Sequence, residues 1–281
     1  WLGLKSVRWG VTEHGFGSYA FATHVDGLRQ GPRAARWFRR VEAQTLAAAD
    51  WVMCPTVSAA AQLARDLALP DVPAHWHVVA HARPAVPDLD ISQARALVGW
   101  VPEALYVLAV GRLAPLKNMG WVVQACAALS AQVRDLRLCI LGEGDASALH
   151  AQAAALGFGD CLQVLVTDDV MPFLKASDVY VSASSTESFG LANLEAMCAG
   201  LPCVCTAVGG VPDVMADGAW LVPCDEATLT RALGALLQDE ALRAWWRVRA
   251  RERALVCADA SWVAQQYVQV YSAVASADHD S

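Results

Sequence analysis

Short, mostly apolar runs alternate with stretches of helical periodicity over most of the chain, which predicts strands alternating with helices and so a parallel α/β sheet. Strands are expected over residues 6–12, 50–54, 76–81, 105–110, 136–141, 162–166, 178–181 and 203–206. Helices are expected from Pro32 and from Ser58, over 121–131, 146–156 and 171–175, after Gly190, and over 226–238, 239–256 and 261–274. Pro84, Pro87 and Asp88 open a stretch that reads as a linker to about Pro102. Residues 276–281 read as a loose tail. The organisation expected is therefore 1–102, 103–260 and 261–281.

The most informative pattern spans residues 182–206. Apolar 178–181 precedes it and Cys203-Val204-Cys205-Thr206 ends it. Between them Leu191, Leu194 and Met197 recur at helical spacing. Gly200 and Pro202 stop that helix, the glycine in the left-handed position that ends helices and the proline just beyond. In such a strand–helix–strand unit a ligand sits where the first strand's C-terminal end meets the helix N-terminus. Amide N–H groups and the positive end of the helix dipole suit a phosphate there, or a negatively charged transition state. Gly190 allows close backbone approach. Glu187 lies in the turn, and Glu195 about 7.5 Å along the helix axis from Gly190. They are too far apart around the helix for one acid–base pair and read as two holds on one elongated ligand. The loop after the 105–110 strand carries Gly111, Arg112 and Lys117, facing the same crevice. A forked guanidinium and a point ammonium beside a helix N-terminus make a diphosphate site.

Glu187-Ser188-Phe189-Gly190-Leu191, followed by Glu195-Ala196-Met197, Gly200, Pro202 and Val204, closely resembles the signature of the retaining group 1 glycosyltransferases, which have the GT-B fold. Gly111-Arg112-Leu113, with Lys117-Asn118, resembles that family's donor-diphosphate loop. The resemblance extends from about Glu42 to the C-terminus. It implies an α/β GT-B architecture of two Rossmann-like domains. The N-terminal, acceptor-side one is partial (1–102, with the linker), and the C-terminal, nucleotide-sugar-binding one is complete (103–260), so the chain is expected to be a fragment. The function implied is transfer of a hexose from a nucleotide-diphosphate sugar to a lipid- or saccharide-linked acceptor, in cell-surface polysaccharide or glycolipid synthesis, with retention of configuration.

The implied catalytic residues are Glu187, Arg112, Lys117 and His14. Arg112 and Lys117 hold the leaving diphosphate, and Glu187 holds the sugar near its reacting face. His14, in the loop over 13–17, resembles the N-domain histidine that approaches the reacting centre. The implied donor-binding residues are Gly111, Gly142, Val164, Ser188, Phe189, Gly190, Leu191 and Glu195. The amides of Phe189, Gly190 and Leu191 support phosphates or sugar hydroxyls. Glu195 accepts the ribose hydroxyls, a planar carboxylate being a good double acceptor. Gly142-Glu143-Gly144 resembles the family's Gly-x-Gly turn, and the base meets the backbone near Val164.

The chain departs from the family pattern at Leu165-Val166, where relatives have Leu-Gly, and at Asp213, where they have Glu. It also has Ala80-His81-Ala82-Arg83-Pro84 in place of an Asn-Gly type turn. No Asp-x-Asp motif stands at a strand end, and Asp168-Asp169 reads as a helix N-terminal pair, so neither a divalent metal nor any other cofactor is expected.

Composition narrows this picture. The 281 residues, 56% hydrophobic, suffice for one large or two ordinary domains. A net charge of −7 argues against a general nucleic-acid binder. The 9 cysteines lack metal-ligand spacing; Cys126, Cys139, Cys161, Cys203 and Cys205 read as small core residues in a reducing cytosol. No segment reads as membrane-spanning. From Arg29 to Arg40, however, Arg33, Arg36 and Arg40 share one helix face and Trp37 and Val41 another. That pattern fits either an anionic membrane surface or a solvated basic face over a core stripe. Arg243–Arg253 with Trp245 and Trp246 reads the same way. A cytoplasmic location, including the inner membrane face, follows. The alternatives are a non-catalytic nucleotide-sugar-binding fragment, or a GT-B epimerase or phosphorylase, although no local signal supports an extra acid/base pair or a lysine-bound pyridoxal.

Overall fold

The computed structural model describes residues 8–15, 17 and 31–276. The expectations for residues 6–7, Phe16, Arg29 and the tail beyond Ser276 lie outside the described residues. In chain order the first elements are β1 (Gly10–Thr12), α1 (Pro32–Ala48), β2 (Trp51–Cys54), α2 (Val57–Asp66), β3 (Trp76–Val78) and α3 (Ile91–Val98). They are followed by β4 (Leu105–Val110), α4 (Met119–Leu129), β5 (Leu136–Leu141), α5 (Ser147–Ala155), β6 (Leu162–Leu165), α6 (Met171–Ala176) and β7 (Val179–Ser182). The last are α7 (Leu191–Cys198), β8 (Cys203–Thr206), α8 (Val211–Met215), β9 (Trp220–Val222), α9 (Glu226–Gln238), α10 (Glu240–Val256) and α11 (Ala260–Ser276).

Packing divides the chain into two units. The first holds residues up to Ala82, Glu187–Phe189, and those from Ala258 onward. Its sheet is parallel, in the order β1-β2-β3. Val52 and Cys54 of the central strand pack with Leu46, Ala60, Leu63 and Trp76. Helix α2 starts where Thr56 accepts a hydrogen bond from the Ala59 amide at 3.0 Å, an N-cap that satisfies an otherwise orphaned donor. Helix α11 lays Val270 on Met53 and Val79. Helix α1 departs from the core-stripe alternative: its buried contact is Leu46, while Trp37 is 60% exposed and Val41 39%. Arg33, Arg36, Arg39 and Arg40 all face solvent.

The second unit comprises Arg83–Thr186 and Gly190–Cys257. Its 6-stranded sheet has the order β6-β5-β4-β7-β8-β9, every pair parallel. The central strands are apolar on both faces because helices cover both, as a parallel sheet requires; Val107, Leu108, Val179, Tyr180, Val181 and Val204 are fully buried. From β4 the chain moves outward to β5 and β6, returns to β7 beside β4, then moves outward the other way. The order of strands therefore reverses between β4 and β7, where Val107 pairs with Val179 and Leu108 with Tyr180.

The stretch read as a linker contains a helix. In α3 the Asp90 carboxylate accepts from Gln93 N at 2.8 Å and the Gln93 side chain accepts from Asp90 N at 3.0 Å, a reciprocal capping box. Short β9 also stood outside the sequence reading. Two arginines of α10 are engaged within the unit, while Arg251 is exposed. Arg243 donates to the Leu236 and Leu237 carbonyls at 2.7 and 2.9 Å, and Arg253 to the Val214 carbonyl at 3.0 Å. Trp246 stacks on Trp220 at 6.0 Å, while Trp245 is 53% exposed. Among the described residues no helix is long and apolar enough to cross a membrane.

A buried ion pair ties α3 to the entry of β7. Asp178 accepts from Arg95 Nη2 at 2.6 Å and from the Tyr106 amide at 2.8 Å, while Arg95 Nε donates to the Ala176 carbonyl at 3.1 Å. Both side chains belong to buried residues. Removing one partner leaves the other charge uncompensated, so Asp178→Ala is expected to cost roughly 3–5 kcal/mol. Urea unfolding measures it, and a loss below about 1 kcal/mol contradicts the account.

Candidate active site

Loops that leave adjacent strands at a reversal of strand order diverge and open a crevice at the strands' C-terminal ends. In the second unit those loops follow β4 and β7. Gly111 leaves β4 at φ 152°, Pro115–Lys117 forms a single 3₁₀ turn, and Asn118 takes a left-handed φ of 48° to start α4. Asparagine tolerates that conformation better than most residues. The loop is fastened to the residues after β7. Asn118 Nδ2 donates to the Ala183 carbonyl at 2.9 Å, and the Leu116 carbonyl accepts from Ser185 N at 2.8 Å and from its Oγ at 3.1 Å. Lys117 folds back over Gly111, where an added Cβ would lie 3.4 Å from Lys117 Cε. Arg112 is exposed.

Gly142 shows why glycine stands at the end of β5. A Cβ there would lie 1.9 Å from the Gly111 carbonyl oxygen, and one on Gly144 would lie 2.7 Å from Leu113 Cβ. Leu113 N donates to the Glu143 carbonyl at 2.7 Å. The Gly-x-Gly turn thus gives close approach to the neighbouring loop, a packing requirement that the sequence reading did not anticipate. Val164 lies half-buried on β6, paired with Ile140. Val166, read in the sequence as a departure from the family pattern, is 67% exposed and is not among the residues with positive φ.

Gly190 sits at the N-cap of α7 with φ 81°, and a Cβ there would lie 2.7 Å from Asn193 Nδ2. The buried face of α7 is Asn193, Leu194, Ala196 and Met197. Leu191 is 50% exposed, so it does not share a core side with Leu194 and Met197 as the spacing suggested. Gly200 has φ 80°, the left-handed conformation that ends the helix. Asn193 Oδ1 accepts from the Tyr180 hydroxyl at 2.9 Å, whereas Asn193 Nδ2 and Thr186 Oγ1 are buried without a hydrogen-bond partner. Neither residue stood out in the sequence, although a polar residue on the buried stripe of a helix was a usable signal. Glu195 is half-buried, and burial raises its pKa above the ordinary 4.5.

The remaining candidates pack in the first unit. Ser188 Oγ donates to the His14 carbonyl at 2.6 Å, and Thr56 Oγ1 donates to the Ser188 carbonyl at 3.0 Å. The His14 ring stacks on His81, with centroids 5.5 Å apart and planes 13° from parallel. His81 in turn meets Phe189 edge-on at 4.8 Å. Burial lowers the His81 pKa, and His14 lowers it further by like-charge repulsion. Burial raises the Glu13 pKa, opposed by attraction to His14. Glu187 is half-buried in the same short segment. The first unit thus gathers His14, Ser188 and Phe189, and the second gathers Gly111, Lys117 and Gly142 beside residues 183–185. His81 was not expected at the site. Among the described residues no group of 3 or more His, Cys, Asp or Glu is placed to hold a metal ion.

A parallel sheet whose strand order reverses between β4 and β7 sets the fold class, and sequence comparison defines the family. The model of the glycosyl transferases group 1 family matches residues 90–253, and the chain belongs to that family. It is 33% identical over 280 residues to a D-inositol 3-phosphate glycosyltransferase of Salinispora arenicola, covering 89% of this chain and 61% of the relative. It is 33% identical over 224 residues to a phosphatidyl-myo-inositol mannosyltransferase of Mycolicibacterium smegmatis, covering 75% and 58%. The chain therefore spans about three-fifths of the length of these relatives. Its fold is that of the GT-B glycosyltransferases. Sucrose-phosphate synthase from Thermosynechococcus elongatus matches with a TM-score of 0.78 at 23% identity, over 96% of this chain and 68% of that one. Anabaena HepE, solved in complex with UDP and glucose, matches with a TM-score of 0.76 at 19% identity, over 94% and 71%.

The raised pKa of Glu195 makes a stability prediction. Its protonated form suits the half-buried position, so that contribution is fully present below the unfolded value of 4.5 and is lost as pH rises through the higher folded pKa. Glu195→Gln cannot ionise. Its melting temperature relative to the parent should therefore rise between about pH 4 and pH 7. A difference that stays constant with pH contradicts the assignment.

Proposed function

We propose that this chain carries the donor-binding part of a retaining hexosyltransferase that uses a nucleotide-diphosphate sugar and delivers the hexose to a lipid- or saccharide-linked acceptor. The observation that carries the reading is the β4 loop: Lys117 lies over Gly111, and Asn118 and Leu116 bind this loop to residues 183–185 just ahead of α7. Two cations on the β4 loop and the N-terminus of α7 match the charge of a diphosphate.

In this reading the bond between the sugar's anomeric carbon and the β-phosphate oxygen breaks, and negative charge grows on that oxygen. Arg112, Lys117 and the amides of Gly190 and Leu191 stabilise it as preorganised donors. The acceptor hydroxyl attacks from the face the phosphate leaves, its proton passes to the departing phosphate, and configuration is retained. Glu187 and His14 hold the sugar, and Glu195, as carboxylate, holds the two ribose hydroxyls. Ser188 and Phe189 shape the turn, and Gly142 and Val164 line the nucleoside side. No metal takes part. The names of the relatives support an acceptor of the inositol-phosphate or phosphatidylinositol type, and work at the inner face of a membrane accords with the exposed arginines and Trp37 of α1.

Lys117→Ala should lower turnover of the nucleotide sugar roughly 100-fold, as loss of a single charge-stabilising donor does. Turnover at the parent rate removes Lys117 from the role, and donor binding without any turnover in the parent chain favours a non-catalytic module. The membrane reading is tested by Arg33→Glu with Arg36→Glu, which should weaken sedimentation with phosphatidylserine vesicles; unchanged sedimentation leaves only a solvated basic face.

A further inference from the structure

In the first unit β1 and β3 flank β2 in parallel, so the chain leaves both toward the same edge of the sheet. The ladder runs a little beyond the strands: Glu13 N donates to the Met53 carbonyl at 2.8 Å and Val79 N to the Cys54 carbonyl at 2.9 Å. His14 and His81 follow directly, one from each side of β2, which is why their rings meet near parallel at 5.5 Å. The backbone of His14 is held by Ser188, whose own carbonyl is held by Thr56. Its ring is held by something else. His14 is exposed, and an exposed imidazole turns freely about its side-chain torsions unless a neighbour packs against it. His81 supplies that neighbour, and His81 is itself half-buried and braced edge-on by Phe189 at 4.8 Å.

We propose that His81 is a positioning residue: by stacking on His14 it fixes the plane in which that imidazole meets the donor sugar. The proposal rests on the reading of His14 as a group at the reacting centre. The charge state of the pair favours the stack. With its pKa below the ordinary 6.5, His81 is neutral at neutral pH, so the rings pack without two like charges. The other titratable groups facing the pair leave this unchanged. Glu13 lies beside His14 with its own pKa raised, and the Cys54 thiol, pushed up to about 12, stays protonated.

The test uses the whole chain and three substitutions. In proton–nitrogen correlation spectra the ring signals of His14 should carry an upfield ring-current shift, kept in His81→Phe and lost in His81→Ala. In His14→Phe the His81 titration should move up toward 6.5 but stop short of it, because burial, the larger cause, remains. With UDP-glucose as the probe donor, kcat should fall about tenfold in His81→Ala with the donor KM little changed, and recover in His81→Phe. A merely structural residue would not give that split or that rescue. Turnover lost in His14→Ala but intact in His81→Ala, or His14 ring shifts indifferent to His81→Ala, overturns the proposal alone. Turnover intact in His14→Ala overturns the reading of His14, and the proposal with it.

Discussion

The second unit depends on a backbone contact so close that no side chain fits: the end of β5 passes the end of β4 with Gly142 against the Gly111 carbonyl, where a Cβ would fall 1.9 Å from the oxygen. That contact sets the path of the β4 loop, and the path sets where its cations stand. Gly144 repeats the constraint one turn on, against Leu113. Hydrogen bonds from Asn118 and Ser185 then lock the loop to the chain after β7. The loops of two adjacent strands are therefore a single rigid piece, which is the preorganisation that stabilising a developing charge requires.

The polar groups follow a consistent logic. Cations lie on the β4 loop, and a helix N-terminus opens at Gly190. The carboxylate of Glu195 is partly desolvated, which makes it a stronger hydrogen-bond acceptor when ionised and a costlier one to keep empty. The buried Tyr180–Asn193 hydrogen bond fixes α7 to β7 from beneath, so the helix that presents its N-terminus is anchored to the strand that feeds it. The Arg95–Asp178 pair ties a different helix, α3, to the entry of β7.

Much of this was legible in the sequence, for physical reasons. β4 and β5 were read to the residue because an apolar run bounded by polar turns has one solution when both faces of the strand are covered. Helix α9 was read over its full span because Asp225 caps it and its periodicity is unbroken. Helix α3 was read as linker because prolines surround it, although Asp90 and Gln93 carried a capping box in plain view. The sidedness of α7 was misread at Leu191 because the buried stripe begins with the polar Asn193. The partners of Gly142 and Gly144 lie some thirty residues away in the chain, a separation across which pattern carries no information. His81 belongs to no motif; only the parallel pairing of β1, β2 and β3 brings it to His14.

The most direct test is a crystal structure of the chain with bound UDP. The account predicts the β-phosphate within hydrogen-bond distance of Lys117 Nζ and of the Gly190 or Leu191 amide, with the ribose hydroxyls on Glu195. A diphosphate bound anywhere other than between the β4 loop and the N-terminus of α7, or ribose hydroxyls turned away from Glu195, contradicts it.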